Sequence, residues 1–98
     1  MLVRDSKLAA ALAAKLGKAP VVLLRGHGHC LVSDSIKRAT VQAVYTELNA
    51  RVLQAALQIG KTVTYLDAEE IAYNAKENFD IERPWENFKS RLIEVAKR

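Results

Sequence analysis

The run Val21-Val22-Leu23-Leu24-Arg25-Gly26-His27-Gly28 sets four apolar residues directly before a histidine enclosed by glycines. The apolar residues, opened by Pro20, predict a short strand. Glycine on both sides of His27 lets the backbone turn sharply and leaves the imidazole open to an incoming metal or substrate. A second short strand, from about His29 to Val32, follows the turn and makes a hairpin. Both strands are apolar on both faces, which predicts a central place in a sheet with layers on each side.

Outward from the hairpin the pattern is helical. Asp5 or Ser6 caps a first helix with the body Leu8-Ala9-Ala10-Ala11-Leu12-Ala13-Ala14-Lys15-Leu16, and Gly17 stops it. Leu8, Leu12 and Leu16 repeat every fourth residue, which draws one packing stripe. Asp34 or Ser33 is expected to cap the longest element, Ser35 to about Ile59, closed by Gly60. Val41, Tyr45, Leu48, Val52, Ala55 and Ile59 form a seam along that helix. Val44, Leu53, Ala56 and Leu57 widen it into the face of a core helix rather than a coiled coil. Thr62 to Leu66 reads as an edge strand or an extended connection. Asp67 with Glu70 predicts a capping box for a helix through about Ala75, which Asn78-Phe79-Asp80 breaks. Pro84 suits the first turn of a last helix, lined on one face by Trp85, Phe88, Leu92 and Val95.

The chain has 98 residues, 50% of them hydrophobic and 27% charged, the composition of one soluble globular domain. No apolar run approaches the roughly 18 residues that cross a bilayer. The start, Met1-Leu2-Val3-Arg4-Asp5-Ser6, lacks the order of a secretion signal, so a cytoplasmic protein is expected. Cys30 is the one cysteine and reads as inert filling in a reducing compartment. The net charge of +4 comes from basic residues spread along the whole chain without an aromatic platform. Nucleic acid is therefore not the expected partner. Arg25 stands apart, since a guanidinium beside a candidate ligand can hold an anionic substrate group.

Two strands are too few. A hairpin alone is marginal in water, and about three strands are needed before a sheet is independently stable. Helices with wide apolar faces around so small a sheet predict part of a larger domain, one that associates with other copies or with an absent polypeptide. The seam helix or the Trp85 helix is the expected contact.

The segment Ala19-Pro20-Val21-Val22-Leu23-Leu24-Arg25-Gly26-His27-Gly28, with Ser35-Ile36 and Ala43-Val44-Tyr45-Thr46-Glu47-Leu48-Asn49-Ala50-Arg51-Val52, resembles the C-terminal half of the class II aldolase and adducin family. The likeness runs over Gly60 to Asp67-Ala68-Glu69-Glu70. Arg83-Pro84-Trp85-Glu86-Asn87-Phe88 is similar to the tail of the branch that includes aromatic-acid decarboxylases. The resemblance implies an α/β/α layered fold, present here over residues 1–98 as one partial domain with a short hairpin and about four helices. It also implies a metal-dependent lyase acting on a small anionic carbonyl or hydroxy-acid substrate. His27 matches the metal-ligand histidine of the family's second half. The family's remaining ligands come from an N-terminal half outside this chain. His29 stands where the family usually has an apolar residue. If alternate strand residues face one way, His27 and His29 share an ion, with zinc first and manganese or magnesium as alternatives; the plainer reading of His29 is a partly buried or hydrogen-bonded side chain.

Cleaving a carbon–carbon bond next to a carbonyl leaves electrons that must be accepted as an enolate, and a divalent Lewis acid lowers that barrier by several kcal/mol. A catalytic site normally takes about three protein ligands and an open position. Two histidines do not supply it. Tyr45, Tyr65, Tyr73 and Glu47 are no more than candidate acids or bases, and Tyr45 sits on the seam. Ser33 and Ser35 have no histidine at nucleophile spacing, and Gly26 with Gly28 is no nucleotide fingerprint. No catalytic residue is assigned. Two functions follow: a lyase portion inactive alone, or an adducin-like association module without catalysis.

Overall fold

The computed structural model describes residues 2–77 and 80–98. Among them the chain is a small mixed α/β structure: α1 (Ser6–Leu16), β1 (Val21–Leu24), β2 (Gly28–Leu31), α2 (Ile36–Ile59), α3 (Ala68–Glu77) and α4 (Glu82–Ala96). It divides into two units, Met1–Ala39 and Thr40–Arg98, with the boundary inside α2. No helix of the described residues is long and apolar enough to cross a membrane.

In the first unit α1 begins where Asp5 accepts a hydrogen bond from the Leu8 N–H at 2.8 Å and ends as the Gly17 N–H reaches the Ala13 carbonyl. Leu8, Leu12 and Leu16 are each half-buried, as their fourfold spacing predicts, and α1 packs against β1. The strands pair antiparallel in the register Val21↔Leu31, Val22↔Cys30, Leu23↔His29 and Leu24↔Gly28. β2 therefore runs one residue earlier than the expected His29 to Val32, because the turn closes on the pair Leu24↔Gly28. Val32 still donates to the Pro20 carbonyl at 2.9 Å just beyond the ladder. The sheet has two strands among the described residues, and Leu23 is 76% exposed, so the hairpin lacks the cover expected on both faces.

The cap of α2 is Ser35, not Asp34 or Ser33. The Arg38 N–H donates to Ser35 Oγ at 3.1 Å, while Asp34 is taken up by an ion pair with Arg38 Nε, also 3.1 Å. Three adjacent residues can each cap, and the one whose oxygen lies three positions before a helical N–H wins. Residues 62–66 form a connection without strand pairing.

The second unit carries the one fully buried side chain among the described residues, Val41. Cover falls away along the seam: Tyr45 is 43% exposed, Val52 67% and Ile59 90%. On α4, Trp85 and Phe88 are half-buried and Leu92 and Val95 exposed, so only the start of that apolar face is covered. The capping box of α3 is complete: the Glu70 N–H donates to Asp67 Oδ1, and the Asp67 N–H to Glu70 Oε2, each at 2.9 Å. The helix runs past Ala75 to Glu77. Of the expected break, Asn78 and Phe79 lie outside the described residues; Asp80 accepts from the Glu82 N–H at the start of α4.

Asp67→Ala removes one half of this box and should cost about 1 kcal/mol of helix stability. Hydrogen exchange of the Glu69 and Glu70 amides checks it: protection falls if the cap holds the first turn, and stays unchanged if it does not.

Candidate functional site

The hairpin turn is built by three residues, Arg25, Gly26 and His27, between the closing pair Leu24↔Gly28. The His27 N–H donates to the Leu24 carbonyl at 3.1 Å and draws the chain into a four-residue turn. That turn needs a positive φ at its third position, and Gly26 has φ of 76° there; Gly28, at 127°, then returns the chain to the strand. A Cβ at Gly26 would meet nothing within 4 Å, so backbone conformation and not crowding requires glycine.

The result is an imidazole held at the tip of the molecule's only described sheet. His27 is exposed, and its ring has no hydrogen-bond partner among the described residues. His29 lies in β2 opposite Leu23 and is exposed too, neither half-buried nor hydrogen-bonded through its ring. His27 sits in the turn, one residue before the ladder starts, so strand alternation does not itself place the two rings on one face. No group of three His, Cys, Asp or Glu side chains that could hold a metal occurs among the described residues. Taken alone, these residues do not fit a complete metal site. Cys30 is half-buried and free.

Arg25 is exposed and helps to line a groove of about 220 Å³ between α1 and β1. Leu8, Leu12, Val22 and Leu24 supply its apolar wall, and Lys15 adds a second cation. The place of Lys15 on the groove lined by Arg25 is not legible in the sequence, because it depends on how α1 lies against the hairpin.

The chain belongs to the class II aldolase family: the model described as Class II Aldolase and Adducin N-terminal domain matches residues 1–54, which hold α1, the hairpin and much of α2. Its relatives put it on the decarboxylase-like branch. It is 36% identical over 72 residues to the 3,4-dihydroxyphthalate decarboxylase of Terrabacter sp. (strain DBF63), covering 74% of this chain and 30% of that protein. It is 31% identical over 67 residues to the 3,4-dihydroxyphthalate decarboxylase of Rhodococcus jostii (strain RHA1), covering 68% and 28%. A third, from Arthrobacter keyseri, is 46% identical over 44 residues, covering 45% and 18%. The matches thus span less than a third of the length of these curated relatives. No solved structure matches.

Gly26→Ala should destabilise the turn by about 1–2 kcal/mol, the cost of a Cβ in left-handed backbone. Gly26→Asn, which tolerates that region, should cost less. Chemical denaturation of the three proteins orders them; equal stabilities would mean the turn does not hold this conformation.

Proposed function

We propose that this chain is the C-terminal part of a metal-dependent carbon–carbon lyase, an aldolase or a decarboxylase, in an α/β/α layered domain. In this reading it supplies His27 as one donor to a divalent ion, with zinc the first choice. The remaining donors come from polypeptide beyond these residues, either the N-terminal half of the domain or another copy in a homo-oligomer. The observation that carries the reading is the exposed imidazole of His27, set out by a glycine-dependent turn and without a hydrogen-bond partner among the described residues. A histidine kept for structure would be buried or hydrogen-bonded.

The metal, once bound, would accept the electron pair left when a bond next to a carbonyl breaks. This chain's own contribution is to position groups. Arg25 leaves the same turn as His27 and carries a planar guanidinium fork, fit to hold a substrate carboxylate. Lys15, across the groove, adds a second positive charge. A small anionic carbonyl or hydroxy acid suits such a pair. His29 is a reserve donor rather than a required one. The protein would work in the cytoplasm, away from nucleic acid and membrane. Partial burial supports the incomplete-domain reading, because a self-sufficient chain of this length would bury more than one apolar side chain completely.

Metal analysis of the assembled protein, purified with whatever polypeptide completes it, tests the proposal. Near-stoichiometric zinc or another divalent ion is expected, and His27→Ala should reduce it by at least about tenfold, the loss typical of a missing ligand contact. Metal unchanged by His27→Ala would contradict the assignment. An assembly that holds no metal and gains no thermal stability from added zinc would instead favour the adducin-like association module.

A further inference from the structure

The basic residues of this chain run along its whole length, but the acidic ones do not. The first unit holds seven Lys and Arg against two Asp, a net charge of +5, and the other nine acidic residues follow it. Six of those nine fall within residues 67–82 against one Lys, a net charge of −5. α3 takes up most of that stretch.

Both acids of the first unit are engaged: Asp5 caps α1, and Asp34 pairs with Arg38. Arg4, Lys7 and Lys18 are exposed and have no ion-pair partner among the described residues. Arg4 and Lys7 stand at the N-terminal end of α1, where the helix dipole disfavours a cation, so the helix itself gains nothing from them. Lys18 lies just past the other end. Between these ends Ala10 and Ala14 are exposed, on the side of α1 away from its half-buried leucines.

α3 has the same arrangement with the opposite sign. It has 10 residues to the 11 of α1, so the two helices are about 15 and 16 Å long. Acidic residues stand at its start, Asp67, Glu69 and Glu70, and at and beyond its end, Glu77, Asp80 and Glu82. Between them Ala68, Ile71, Ala72 and Ala75 fall on one apolar stripe by their spacing. α3 packs against no other element among the described residues, and Ile71 is 55% exposed.

We propose that α3 of one copy of this chain packs against the outer face of α1 of a second copy, with small residues in the middle of the contact and opposite charges at both ends. Alanine on each helix lets the two axes approach closely. A two-fold dimer makes the contact twice, because each copy offers both helices. The charges select which helices meet, and the apolar stripe supplies the burial. The contact does not use Lys15 or Arg25 and does not rest on the reading of His27.

Sedimentation equilibrium of the full chain tests the proposal, with circular dichroism to verify the folding of each variant. A dimer is expected at micromolar concentration, weakened at least about tenfold as NaCl rises from about 0.05 to 0.5 M. A dimer held by the apolar seam of α2 would not weaken in this way, since burial of hydrocarbon is not screened by salt. Lys7→Glu with Lys18→Glu should weaken the dimer at least about tenfold, although Lys7→Glu by itself favours α1. Glu69→Lys with Glu77→Lys, which leaves the Asp67–Glu70 box in place, should weaken it as much. Mixing the two double variants should restore a heterodimer, because each contact again joins opposite charges. The proposal is overturned by a monomer at low salt, by a dimer that Val52→Asp dissolves while both charge variants keep it, or by a mixture that stays dissociated. A chain that stays monomeric and binds polyglutamate would also overturn it, by giving the basic face to another partner.

Discussion

The hydrogen bond from the His27 N–H to the Leu24 carbonyl governs this molecule more than any packing contact does. It closes the hairpin, fixes the register that pairs Leu24 with Gly28, and leaves Arg25 and His27 projecting from one short turn. In the turn as it is formed, Gly26 takes a φ of 76°, which glycine adopts at no steric cost. An ordinary side chain there would strain the turn, and the ring it presents would move with it. Local backbone chemistry, rather than a deep pocket, thus puts the His27 ring in the open.

A second constraint is the shortage of anything to pack against. The hairpin has α1 beside it, and Leu23 on its surface is left 76% exposed. α2 carries a continuous apolar seam, yet the cover at Val41 is gone by Val52 and Ile59. Hydrophobic surface of that extent is costly in water at about 25 cal/mol per Å². Uncovered seams and a two-stranded sheet among the described residues together motivate the proposed incomplete-domain reading. Matches that span less than a third of their curated relatives fit the same picture.

Local signals were readable from the residues, and tertiary ones were not. The Asp67–Glu70 box was legible because both of its hydrogen bonds are made within four residues. The fourfold leucines of α1 likewise announced their own half-buried stripe. The cap of α2 falls on Ser35 rather than on Asp34 or Ser33 because all three are good caps, and the structure shows Asp34 paired with Arg38 and Ser35 Oγ accepting the Arg38 N–H. In the site, His27 and Arg25 could be named from the Arg-Gly-His-Gly run. Lys15 could not, since its place on the groove that Arg25 also lines is set by the lie of α1 on β1. Whether His27 and His29 share a face is not fixed by strand alternation, because the turn ends at His27 and the ladder begins one residue later.

The features meet at the exposed imidazole of His27, which in the proposed reading is one donor to a coordination sphere completed by other polypeptide. A crystal structure of the complete assembly, with anomalous scattering recorded at the metal edge, tests this most directly. The account predicts an ion at about 2.0–2.1 Å from a ring nitrogen of His27, with the other protein donors contributed from outside residues 1–98. A sphere completed without His27, or a His27 ring turned into the protein interior with its nitrogens bonded to backbone carbonyls, would contradict it.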